Sequence, residues 1–185
     1  VCSPAMAGKY LHFGTTAGRY YVLDSASGKV VKEIACSEPI LSTPVVGRDR
    51  VYFATLGSQV YSLQFDGTVC WVWDYVKERL KFAGDRWSGE QWLNHKKGRA
   101  TWRDQFFCAT DMALHNKTIV VPAGGETICL EDLGGAASLR AVALVPNHAG
   151  SELPGAFGLS LDSAGTIYRQ WHRRDNTGRV EIFRL

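Results

Sequence analysis

A chain of 185 residues, 45% of them hydrophobic and 21% charged, is long enough for one domain with its own core and too apolar to stay disordered. A net charge of +3 is too small to imply nucleic acid, and no apolar run approaches the roughly 20 residues of a membrane helix. The cysteines, Cys2, Cys36, Cys70, Cys108 and Cys129, form no C-x-x-C and no vicinal pair, which excludes a zinc ribbon, a thioredoxin-type dithiol and c-type haem attachment.

In chain order, strands are expected at residues 10–15, 20–23 and 30–35, with a turn at 24–28 where Asp24 bonds back to the backbone and Gly28 supplies positive φ. A second set follows at residues 50–55, 60–63 and 68–73, with Asp66-Gly67 as its turn. Residues 74–82 carry the one stretch with any helical periodicity. Strands are expected again at 118–123 and 127–130, then at 158–161 and 166–169, and a last strand at 179–185 follows the turn Asp175-Asn176-Thr177-Gly178.

These elements repeat. With an offset of 40, Pro4 falls on Pro44, Phe13 on Phe53, Thr15 on Thr55, Tyr21 on Tyr61 and Leu23 on Leu63. With an offset of 39, Gly28 meets Gly67 and Val30 meets Val69. A period of about 40 residues holding about four short antiparallel strands is the signature of a propeller blade. The fold class is therefore all-β: a β-propeller of about four such blades, occupying residues 1–185 as one domain or propeller fragment.

The residues Ser3-Pro4, Phe13-Gly14 and Tyr21-Val22-Leu23-Asp24-Ser25-Ala26-Ser27-Gly28-Lys29, with Thr43-Pro44, Tyr61-Ser62-Leu63, Asp66-Gly67 and Trp71 in the second copy, resemble the PQQ-like (quinoprotein-type) β-propeller repeat. The likeness covers residues 1–74 well and 108–185 loosely. It implies that Trp71 docks between blades, whereas Lys32 stands at that position in the first copy. It also implies a parent ring of about seven or eight blades, so that four units would leave open blade faces, and self-association or a missing remainder is expected. Family enzymes hold pyrroloquinoline quinone (PQQ) under a vicinal disulfide beside calcium ligands. No vicinal pair exists here, so neither PQQ nor calcium is expected, and neither a catalytic residue nor a metal ligand is assigned.

Residues 75–105 break the period. This insertion holds Trp87, Trp92 and Trp102, eight Lys or Arg residues and four Asp or Glu residues, for a local charge of +4. A long loop on a rigid scaffold is where recognition is usually placed, and Arg and Trp dominate binding hot spots. Arg86, Trp87, Trp92, Lys96, Arg99, Trp102 and Arg103 are therefore candidate contact residues. The competing reading tucks the tryptophans onto the blade and leaves the charges as a solvated face. A second basic cluster, expected between a strand and the last turn, makes His172, Arg173 and Arg174 candidates for an anion pocket, against cross-strand pairing around a hairpin.

The functional expectation is a non-catalytic binding or scaffold module for a protein partner or other ligand. The alternative is a quinoprotein-like dehydrogenase, or another propeller enzyme fragment with a loop-built or axial-funnel site. Nucleic acid is disfavoured because acidic residues interleave the basic ones. No signal-peptide pattern opens the chain, the start at Val1 reads as a processing site or a fragment boundary, and the compartment stays open.

Overall fold

The computed structural model describes residues 2–82, 84–87, 108, 110–123, 126–144, 152–173 and 178–184. Among the described residues the chain forms four antiparallel sheets in sequence order, three of four strands and one of three. Blade 1 comprises β1 (Ala5–Ala7), β2 (Tyr10–Gly14), β3 (Arg19–Asp24) and β4 (Val30–Ala35). Blade 2 comprises β5 (Val45–Val46), β6 (Val51–Ala54), β7 (Gln59–Leu63) and β8 (Val69–Asp74), and is followed by the four-residue helix α1 (Tyr75–Glu78). Blade 3 holds β9 (Ala113–His115), β10 (Thr118–Ala123), β11 (Glu126–Asp132) and β12 (Ala137–Leu144). Blade 4 shows β13 (Glu152–Leu161), β14 (Thr166–Arg173) and β15 (Gly178–Arg184). Successive blades touch through β1 and β5, β5 and β9, and β9 and β13; no comparable contact joins the last blade to the first among the described elements.

Turn chemistry is repeated as well as strand pattern. In blades 1, 2 and 4 the loop between the second and third strand positions closes by the same pair of backbone bonds, Thr15 N to Arg19 O with Gly18 N to Thr15 O, and their counterparts at Thr55/Ser58 and Asp162/Gly165. The closing residue has positive φ in all three, namely Gly18, Ser58 and Gly165. A β-bulge falls at one equivalent place in blades 1, 2 and 3, between Val22 and Leu23, Ser62 and Leu63, and Cys129 and Leu130.

Just ahead of each bulge a row of three residues stands in register across the second, third and fourth strands. The rows are His12, Val22 and Lys32 in blade 1, Tyr52, Ser62 and Trp71 in blade 2, and Val120, Cys129 and Ala141 in blade 3. The core lies between blades. Tyr20 of blade 1 stacks on Phe53 of blade 2 at 3.8 Å across the first boundary, and Phe53 stacks in turn on its cross-strand neighbour Tyr61 at 4.7 Å. Full burial of an aromatic ring such as Phe53 contributes about 2 kcal/mol. The largest cluster, including Trp71, Trp73, Ile119 and Leu130, fills the second boundary. Val120, Cys129 and Ile167 form a smaller one at the third.

Two expectations are corrected. Helical structure at residues 74–82 is confined to Tyr75–Glu78. The basic cluster does not lie between a strand and a turn: residues 168–173 belong to β14, which pairs with both β13 and β15.

Candidate functional site

The insertion leaves blade 2 and returns to it at one turn, residues 55–58. Tyr75 N donates to Ser58 O at 3.1 Å as the chain departs, and Cys108 N donates to Leu56 O at 3.0 Å as it comes back. Between them Arg86 donates to Gly57 O at 2.5 Å. The same turn is held from below by Leu56 N to Pro39 O, at 2.7 Å.

Beneath this root lies a charge network. The Glu38 carboxylate, whose side chain is 5% exposed, takes the Thr55 hydroxyl at 2.5 Å and lies 3.4 Å from Arg86 Nε. Arg86 also pairs with Asp74. Asp74 is the N-cap of α1, accepting from Lys77 N at 3.2 Å, so one carboxylate both starts the helix and receives the arginine. The carboxylate of Glu38 occupies the space where a side chain on residue 57 would be, with Oε1 only 2.6 Å from an ideal β-carbon built on Gly57. Glycine is thus required there for close approach.

Helix α1 is tied to blade 3 as well. Glu126 receives Tyr75 OH at 2.9 Å and a two-pronged contact from Arg79, Nη2 at 2.9 Å and Nε at 3.1 Å. Burial, and then the adjacent Glu126 charge, push the Tyr75 phenol well above its ordinary pKa, so it serves as a neutral donor. Solvent meets the outer surface of the root at Lys77, Leu80, Lys81 and Phe82.

The structure thereby separates the candidate residues. The Arg86 guanidinium is engaged with Glu38, Asp74 and Gly57, and its side chain is 11% exposed. Trp87 is half-buried against the main core cluster. Both tuck the base of the insertion onto the blade. Trp92, Lys96, Arg99, Trp102 and Arg103 lie outside the described residues, as does Arg174. His172 and Arg173 are placed as backbone in β14, with His172 opposite Gly178 and Arg173 opposite Glu152.

Sequence reasoning missed Glu38, Thr55, Gly57 and Glu126. Their one available signal was a Glu within the apolar linker between repeats, beside the repeat-breaking Gly57, where blade 1 carries Ala17. Among the described residues no group of three or more His, Cys, Asp or Glu side chains converges as a metal site.

Trp71 is where the family resemblance implies a docking tryptophan. It is 7% exposed and donates its indole N–H to Asp132 of blade 3 at 2.9 Å. In blade 1 the same place is held by Lys32, whose aliphatic stem lies over Gly67 of blade 2, with Cβ 2.8 Å from an ideal β-carbon there.

Comparison with known proteins agrees with this architecture. A family model described as outer membrane protein assembly factor BamB matches residues 2–138. The solved structure of BamB from Moraxella catarrhalis is similar over 100% of this chain and 49% of its own, with a TM-score of 0.60 at 12% identity. The computationally designed Ika4 protein is similar over 96% of this chain and 88% of its own, with a TM-score of 0.60 at 13% identity. A europium-containing methanol dehydrogenase is similar over 96% of this chain and 38% of its own, with a TM-score of 0.59 at 15% identity. The chain thus spans about half the length of the Moraxella protein. No curated protein matches the sequence.

Proposed function

Because the chain belongs to the PQQ-like β-propeller family whose model is described as outer membrane protein assembly factor BamB, we propose that it is a binding or scaffold module whose contact surface is the insertion. The observation that carries this reading is the root: both ends of the insertion, and Arg86 within it, are tied to one turn of blade 2. A segment so anchored presents its outer residues on a rigid base, which limits the ordering cost of binding. The contact residues we propose are Trp92, Lys96, Arg99, Trp102 and Arg103, with Lys77, Leu80, Lys81 and Phe82 at the rim, and His172, Arg173 and Arg174 as a second basic surface. The partner we propose is a protein, of the kind an assembly factor contacts, or a further copy of the chain meeting an open blade face.

A quinone does not suit the residues at hand. All cysteines are free and none adjoins another in the sequence, so this chain offers no vicinal disulfide platform for a quinone.

A photo-crosslinking residue at Lys81, with a control at Lys29 in blade 1, tests the reading in an extract of the source cells. A discrete adduct at position 81 that is lost in the triple variant W92A/K96E/R99E supports it. No adduct, or one indifferent to that variant, overturns it. Turnover of an alcohol or sugar by the purified chain with added PQQ, calcium and a dye acceptor would favour the dehydrogenase reading instead.

A further inference from the structure

On the boundary between blades 2 and 3, away from the insertion root, lies a cavity of about 320 Å³. Its walls are the β5–β6 turn with Arg48, Asp49 and Arg50, the β9–β10 turn with Lys117, and the side chains of Tyr52 and Asp132. A volume at the lower end of the range for ligand sites suits a small molecule or a single polar group.

The two boundaries differ at this place. At the first boundary Phe65 stands in the position that Asp132 holds at the second, two residues past the bulge leucine, and it closes on Gly8 at 3.6 Å from an ideal β-carbon. Asp132 instead turns into the boundary, taking Tyr52 OH at 2.7 Å, Trp71 Nε1 at 2.9 Å and Gly134 N at 2.7 Å. The carboxylate is fully occupied and leaves the space of the aromatic ring open.

The cations around that space are not similarly satisfied. Among the described residues Arg50 bonds or pairs directly only with Asp49, through Nη1 at 3.3 Å to the carbonyl and 3.5 Å to the carboxylate, and the Asp49 side chain is 76% exposed; its charge also acts on Asp132 without a direct contact. The buried Nε of Arg50 has no hydrogen-bond partner. A buried guanidinium N–H without an acceptor is rare and costly, so this arginine is short of hydrogen-bond acceptors. Arg48 and Lys117 add two further positive charges to the same wall.

We propose that this cavity is a binding site for a small oxyanion, a phosphate or carboxylate group that accepts hydrogen bonds from the Arg50 guanidinium and is balanced by Arg48 and Lys117. Guanidinium geometry suits both groups, since each offers paired acceptor oxygens. The site is distinct from the insertion and does not depend on the role proposed for it.

The test is a titration of the full chain with inorganic phosphate and, separately, with succinate. It is read by the arginine Nε–H resonances in NMR and by calorimetry, with sodium chloride at matched ionic strength as the control. A saturable shift of the Arg50 Nε–H signal that chloride does not reproduce is expected, with Kd below roughly 10 mM. Tighter phosphate binding assigns a phosphoryl ligand, and tighter succinate binding assigns a carboxylate. Arg50→Gln should weaken binding at least about tenfold. Lys117→Gln, a change on an exposed turn, should weaken it severalfold and keeps the test alive if the first variant does not fold. No saturation with either anion, an equal response to chloride, or unchanged affinity in both variants overturns the proposal.

Discussion

Trp71 and Asp132, 61 residues apart in the chain, meet across the blade 2–blade 3 boundary through an indole N–H···carboxylate bond of 2.9 Å. Asp132 also receives the Tyr52 hydroxyl and its own turn's Gly134 N–H. Burial alone would raise its pKa, but these donors and the charge of Arg50 outweigh burial and hold it below the usual carboxylate value. Asp132→Ala would strip these three donors, and the Ser62 hydroxyl at 3.5 Å, of their acceptor. It is expected to cost about 3 kcal/mol in urea unfolding, with Asp132→Asn costing less because one acceptor oxygen remains.

His12 gives a pH dependence of known sign. Its ring bridges Tyr20 OH at 3.2 Å and Phe65 O at 3.0 Å, and burial lowers its pKa below 6.5 despite the latter bond. The unfolded chain therefore binds a proton more readily than the folded one. Stability is full above pH 6.5 and falls as pH drops from 6.5 towards the folded value. Urea midpoints between pH 7 and pH 5 should decline in the wild type and decline less steeply in His12→Gln. Asp132, with its own lowered pKa, adds a separate loss only in the acid range below its unfolded value of 3.8.

Gly57→Ala should disturb the insertion root from inside. The added methyl would displace the Glu38 carboxylate, and with it the contacts to Thr55 and Arg86. A loss of about 2 kcal/mol is expected. Arg86→Ala should cost more, about 3 kcal/mol, because it leaves Glu38 buried without its counter-charge. The two effects should be strongly non-additive in a double-mutant cycle, since both act through Glu38.

Thiol labelling should distinguish the cysteines. Cys70 sits on the outer strand β8 and is partly exposed, whereas Cys2, Cys36, Cys108 and Cys129 are buried. Burial also pushes the Cys36 thiol up to about 11 and raises that of Cys129. A disulfide reagent near pH 8 should show one fast equivalent, abolished by Cys70→Ala, with the remaining thiols reacting only on unfolding.

The strands legible in the sequence were those with aromatic or β-branched residues bounded by Asp or Gly. Val30–Ala35 and Thr118–Ala123 begin and end where the pattern placed them. The innermost strands β1, β5 and β9, of three, two and three residues, are too short to show alternation. Strand β12, with the sequence ASLRAVAL, is rich in helix formers and is held extended by its pairing with β11, so tertiary context overrides propensity. The docking role of Trp71 was implied by the family resemblance, since the first repeat copy has Lys32 there, but its partner was not, because the equivalent residue in the preceding repeat unit is Phe65. Arg86 and Trp87 were legible as members of the insertion. That they face inward depends on Glu38, which sits 48 positions earlier in the numbering and carries no motif.

The ties at Leu56, Gly57 and Ser58 also define what is exchangeable. Three consecutive backbone carbonyls of blade 2 receive their hydrogen bonds from residues 108, 86 and 75. Excising everything from 75 to 105 would orphan two of them together with the Glu38 charge, although the repeat period marks those limits as the seams. The insertion is better regarded as a cassette with fixed connectors, α1 through Trp87 at one end and Cys108 at the other. Sequence can be swapped between the connectors while the blade keeps its bonds, so one scaffold can accept new recognition loops without being rebuilt.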